Sequence, residues 1–221
     1  MTYAILFGSI GTLAETSGIQ LAAYNQAFSE AGLSWTWTKS EYQNMLKDAG
    51  GLKRIETYAK ARNTTVDARA IHQRKSEIFQ EHLSLKQIEA RAGVKDTIKH
   101  ARSEGLKLGL VTTTSLENIE SVLDAIGIGL SNFDVFTTSS MVKHPKPAGD
   151  AYVKALQDLN LQPAQAIAIE DNPDGAKAAR TAGLRCVGLI GEMHDVADFP
   201  ELVAQQVELD LSDILKPLPV T

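Results

Sequence analysis

The sequence predicts an α/β fold, a doubly wound parallel sheet with a small helical domain inserted after its first strand. Three observations carry this. An apolar run at residues 3–7 breaks into a loop at Gly8, as a strand buried on both faces does. From Val94 onward, apolar runs of strand length alternate with stretches of helical spacing, the pattern of a parallel sheet with crossover helices. Between them, residues 17–85 are helical in composition and carry no strand signal. The expected division is a core of residues 1–16 and 86–221 and an insert of residues 17–85.

Composition narrows the classes. A chain of 221 residues with 43% hydrophobic content can bury a core as one good-sized domain or two small ones. A net charge of −5 favours solubility and argues against a nucleic-acid surface. No run approaches the roughly 18 apolar residues of a membrane span. Met1 leads directly into the first strand, so no cleaved leader is expected, and the expected location is the cytoplasm. The single cysteine, Cys186, cannot form an internal disulfide and reads as a buried structural thiol.

In chain order, Ala22, Ala23, Ala27, Phe28 and Ala31 mark the first helix, with Gly32 at its end. Trp35 and Trp37 lead into a second helix carrying Tyr42, Met45 and Leu46. Gly50 and Gly51 turn into a third with Ile55, Tyr58 and Ala59, and a fourth spans residues 66–83. Val94, Ile98 and Ala101 form one helix face, stopped at Gly105. Strands follow at 106–111, 135–137, 166–170, 185–189 and 206–209. Helices are expected at 116–126, 151–159 and 175–182, and residues 216–221 form a peripheral tail.

The loop after the first strand reads Gly8-Ser9-Ile10-Gly11-Thr12-Leu13. It resembles the first motif of the haloacid dehalogenase-like phosphohydrolases, an apolar strand followed by D-x-D-G-T-L, with both aspartates replaced. Three further segments resemble the family's remaining motifs, in order. Thr112, with Thr113 beside it, ends the second strand; His144-Pro145-Lys146-Pro147 matches the lysine segment; Glu170-Asp171-Asn172 matches the metal-binding segment. The resemblance points to the phosphoglycolate phosphatase/β-phosphoglucomutase branch. It implies a Rossmann-like core, a helical cap over the site, phosphate contacts from Thr112, Thr113 and Lys146, and metal contacts from Glu170 and Asp171. It also places Lys53, Arg54 and Gln20 as cap contacts to substrate, Gln20 standing where relatives often carry histidine.

In the family, the first aspartate attacks phosphorus and the second serves as acid and base. Gly8 and Ile10 can do neither, and Mg2+ is expected to bind weakly without their oxygens. Lys146 is then expected to pair directly with Glu170 or Asp171. Ser9 is a weak candidate nucleophile, with no base evident nearby and its side chain expected to point away from the vacated positions. His72, His82 and His100 read as solvated surface groups, His144 as a surface loop residue, and His194 as lacking a nearby partner. The leading expectation is a protein that lacks aspartyl-phosphate chemistry and binds a small phosphorylated metabolite or phosphate-like anion. The alternatives are a phosphatase with a displaced nucleophile or metal-activated water, and a structural or regulatory partner protein.

Overall fold

The opening apolar run forms β1 (Ala4–Phe7), all four residues buried, at the middle of a six-stranded sheet. The computed structural model describes residues 3–47, 50–85, 88–199, 202, 204–206 and 208–215. Five further strands are β2 (Lys107–Val111), β3 (Val135–Thr137), β4 (Ala166–Glu170), β5 (Arg185–Gly188) and β6 (Ala204–Gln205). Their order is β3-β2-β1-β4-β5-β6, with every described pair parallel. The order reverses between β1 and β4. In open α/β sheets such a switch point opens a crevice at the carboxyl ends of the strands. Phe7 sits opposite both Leu110 and Ile169, so the loops after β1, β2 and β4 leave the sheet side by side.

Strand alternation divides the core. Ile5 and Phe7 join one apolar cluster, with residues of α5 (Val94–Ser103) and α6 (Leu116–Ile126). Ala4 and Leu6 join the other, under α7 (Asp150–Leu159) and α8 (Pro173–Thr181). Ala176, Ala178 and Ala179 are wholly buried, which lets α8 lie close on the sheet.

Residues 17–85 contain α1 (Ser17–Glu30), α2 (Lys39–Met45), α3 (Gly51–Ala61) and α4 (Ala68–Leu85). Their centre is aromatic. Trp37 meets Tyr24, Phe28, Tyr42 and Tyr58 with ring centroids 4.7–6.1 Å apart, contacts worth roughly 0.5–1.5 kcal/mol each beyond burial. Asn25 fixes the Trp37 backbone from both sides: its Nδ2 donates to Trp37 O at 2.9 Å, and its Oδ1 accepts from Trp37 N at 2.7 Å. Thr38 and Glu41 form a capping box that starts α2. On the core side, α4 lies against α6, where Gln80 Nε2 donates to Asn118 Oδ1 at 3.0 Å.

The structure departs from expectation in several places. Ala22 and Ala31 are exposed, and Tyr24 instead fills the inner face of α1. Helix α8 starts two residues earlier, because Asn172 caps it and Pro173 suits a first helical position. The last strand pairs at Ala204–Gln205 rather than at 206–209; Val207 lies outside the described residues, as does the tail 216–221. A short α9 (Leu211–Ile214) follows that the apolar pattern did not mark. No helix among the described residues is long and apolar enough to cross a membrane.

Candidate active site

Gly8 is the first residue past β1, its N–H donating to Ile169 O at 2.8 Å. A Cβ added here would lie 2.1 Å from Cδ and Oε1 of Glu170 and 2.4 Å from the Tyr152 hydroxyl. The volume that a side chain at position 8 would use is therefore filled by the Glu170 carboxylate. Lys146, 7% exposed, meets that carboxylate at 2.6 Å. The same ammonium donates to Val111 O at 2.8 Å and to Gly8 O. All three of its donors are thus spent, on the ends of β1, β2 and β4. Tyr152 Oη adds a hydrogen bond to Glu170 Oε1 at 2.7 Å.

Glu170 is fully buried. Burial pushes its pKa up, against the pull of Lys146, and burial also holds the Tyr152 hydroxyl well above its ordinary range. The second carboxylate oxygen, Oε2, is buried without a hydrogen-bond partner among the described residues. Gly175 faces it, where a Cβ would stand 2.1 Å from Oε2.

Ile10 is 7% exposed and packs into the same apolar cluster as Leu13 and Ala14. Ser9 departs from its expected orientation. Its Oγ donates to Asp171 Oδ1 at 2.7 Å and accepts from Gly11 N at 2.9 Å. The strand has already ended, so alternation no longer governs: the chain turns at residues 10–12 and lays the loop over the β4 loop. Gly11 permits this approach, since a Cβ there would fall 1.9 Å from Asp171 Oδ2. Asp171 Oδ1 also accepts from Asn172 Nδ2 at 2.8 Å. A carboxylate base does stand beside Ser9.

Thr112 is buried, and its Oγ1 accepts from Thr114 N at 3.2 Å; Thr113 is half-buried beside it. His144 is exposed, with Nδ1 3.0 Å from Asp150 Oδ2. In the helical insert, Lys53 is exposed. Arg54 donates through Nε to Met45 O at 3.1 Å and through Nη1 to Tyr24 Oη at 3.5 Å. Gln20 Oε1 accepts from Lys75 Nζ.

Sequence reasoning missed Lys75, which is 4% exposed and holds its ammonium 4.7 Å from the Tyr24 ring centre and 5.1 Å from that of Phe79. Burial, then Arg54, lowers its pKa to about 7. Burial, then Lys75 and Arg54, lowers that of His72 to about 4. His72 and His82 are half-buried rather than solvated, because α4 turns them toward α1 and α3: His82 Nε2 lies 3.1 Å from Gln26 Oε1, and His72 Nε2 lies 2.7 Å from the place of a Cβ on Gly51. His194 is half-buried, its pKa lowered by burial and raised by the charges of Asp171 and Glu15. It does have partners nearby.

Arg91 was also missed. Its guanidinium donates to Gly11 O at 3.2 Å, Leu189 O at 2.7 Å and Ile190 O at 2.8 Å, and its backbone N donates to Leu13 O at 2.8 Å. Glu15, within reach of the Arg91 charge, accepts from the backbone N of Ser17 at 3.1 Å and Glu192 at 2.9 Å. No motif marks a cation that binds carbonyls.

Comparison with known proteins identifies the family. The family model described as haloacid dehalogenase-like hydrolase matches residues 5–189. Protein CbbY of Cereibacter sphaeroides is 36% identical over 192 residues, covering 85% of this chain and 84% of that protein. The phosphorylated carbohydrates phosphatase of Thermotoga maritima is 24% identical, covering 87% of each. Among solved structures, an aspartate-to-asparagine variant of CbbY from Rhodobacter sphaeroides in complex with xylulose-(1,5)bisphosphate superposes with a TM-score of 0.87 and 33% identity. It covers 94% of this chain and 95% of that one. With a family model spanning most of its length and a relative above 30% identity, this chain belongs to the haloacid dehalogenase-like hydrolases.

Proposed function

We propose that this protein removes a phosphoryl group from a small phosphorylated sugar, by a route that forms no aspartyl-phosphate at position 8. The observation that carries the reading is Lys146, which ties the ends of β1, β2 and β4 together at the switch point. The loops that carry Ser9, Thr112 and Asp171 leave the sheet beside it. The names of the relatives favour hydrolysis over simple binding: one is a phosphorylated carbohydrates phosphatase, and another was solved with xylulose-(1,5)bisphosphate. In this reading residues 17–85 act as a cap. Arg54 and Lys53 lie on its third helix and supply positive charge for the sugar phosphate, and Lys75 and Gln20 form a buried polar contact nearby.

Phosphatases of this family generally use Mg2+. The donor set here does not fit such an ion. Gly8 and Ile10 offer no side-chain oxygen, and Glu170 is buried on Lys146 and Tyr152. Asp171 and the buried Oε2 of Glu170 are left, and no three His, Cys, Asp or Glu side chains gather among the described residues. Hard divalent ions depend on several oxygen ligands, so no step is assigned to one.

A second reading, binding without turnover, is favoured by the Glu170 carboxylate filling the space at Gly8. Incubation with xylulose 1,5-bisphosphate separates the two. Release of inorganic phosphate that survives rigorous purification supports hydrolysis, and saturable binding without release supports the second reading.

A further inference from the structure

We propose that Ser9 is the phosphoryl acceptor of this protein and Asp171 its base, so that a phosphoserine replaces the missing aspartyl-phosphate. The inference rests on the hydrolytic reading above and names the group that reacts. Within residues 8–11, Ser9 Oγ is the only side-chain oxygen. It is half-buried and donates its proton to Asp171 Oδ1 at 2.7 Å. The Gly11 N–H, 2.9 Å away, holds the same oxygen from the other side and fixes its rotamer. A hydroxyl whose proton already points at an aspartate is the arrangement by which phosphoryl-transfer enzymes prepare an accepting alcohol. The loose transition state of phosphoryl transfer asks little nucleophilicity of that oxygen, so a carboxylate is a sufficient base. The glycines on either side of the loop allow the approach: Gly8 admits Glu170, and Gly11 admits Asp171.

Ser9 Oγ bonds to phosphorus as the bond from phosphorus to the sugar oxygen breaks. The Ser9 proton passes to Asp171, and the departing sugar oxygen takes a proton from solvent, since Ile10 has none to give. Donor and product are both phosphate monoesters of an alcohol, so transfer is close to thermoneutral. An acyl phosphate on an aspartate is reactive toward water, whereas a phosphoserine is not. With no acid or base at position 10, phosphoserine breakdown is the slow step and the modified protein accumulates.

The test is incubation of the full chain with xylulose 1,5-bisphosphate, followed by intact-mass measurement, peptide mapping and phosphate release. One phosphoryl group per chain on Ser9 is expected. Ser9→Ala abolishes it, Ser9→Thr retains it, and Asp171→Asn slows its formation by about 10²-fold or more, the scale of a lost general base. Phosphate release at equal rates from wild type and Ser9→Ala overturns the Ser9 assignment and leaves hydrolysis standing. Binding without either label or release overturns both. Label on another residue, with Ser9→Ala still labelled, also overturns the proposal.

Discussion

Replacing Gly8 by alanine is expected to lower stability by about 1–3 kcal/mol, the usual cost of overpacking a filled interior. The reason is local: the new Cβ would meet the Glu170 carboxylate at 2.1 Å, in a group locked by Lys146 and Tyr152. For a chain of this length that is a fall of about 2–4 °C in Tm per kcal/mol, readable by calorimetry. The same geometry governs attempts to rebuild the family motif. Gly8→Asp with Ile10→Asp must first displace Glu170, so adding Glu170→Ala to that pair should recover stability that the pair alone loses. Lys146→Met removes one partner of a buried ion pair and should cost about 3–5 kcal/mol; a urea midpoint unchanged from wild type would contradict it. Much of this was legible in the sequence. The direct pairing of Lys146 with a fourth-motif carboxylate followed from the missing aspartates, and the structure places it on Glu170 at 2.6 Å. Tyr152 was not legible, since a tyrosine on the apolar stripe of α7 looks like any core aromatic. Nor was the Ser9–Asp171 contact, because alternation holds only while the strand lasts.

At the scale of elements, Arg91 joins segments that are far apart in sequence. Its guanidinium bridges the loop after β1 to the loop after β5, across 80 and 98 residues of chain. Both loops border the crevice, and the Arg91 fork joins them beside the Glu15–Glu192 contact. Arg91→Lys keeps the charge and loses the fork. It should cost about 1.5–3 kcal/mol, the scale of a hydrogen bond to a charged group, and loosen Gly11 and Ile190. Amide exchange would then rise at residues 10–13 and 189–191 well above the global change; uniform exchange would refute the clamp. The strands themselves were readable because β1, β2 and β4 are short apolar runs buried on both faces. Strand β6 was not, as two residues on a sheet edge carry too little pattern to set a register.

Over the whole molecule, the alternation of runs and helices foretold a doubly wound parallel sheet, and the 3-2-1-4-5-6 order places the matching loops at its switch point. What composition could not show is that the fold buries Lys75 and Glu170, two groups of opposite sign that shape its response to pH. Lys75 has a folded pKa of about 7 against an ordinary value of 10.5. Between these values the unfolded chain binds more protons, so stability rises with pH, by at most about 1.4 kcal/mol per pH unit. Below about 7 the full cost of burying the ammonium is present. Glu170 acts in the other direction: its folded pKa lies above 4.5, so its burial cost is absent in acid and appears as pH rises through the folded value. The climb above pH 7 is the Lys75 contribution. Unfolding by urea should therefore show stability climbing from about pH 7 toward pH 9, before the thiol of Cys186, ordinarily near 9.0 and raised by burial, begins to oppose it. Lys75→Met removes the ammonium and keeps the length of the stem beside Tyr24 and Phe79. The variant should be more stable than wild type at pH 7, and the difference should shrink by pH 9. A wild-type slope that survives this substitution would place the proton elsewhere.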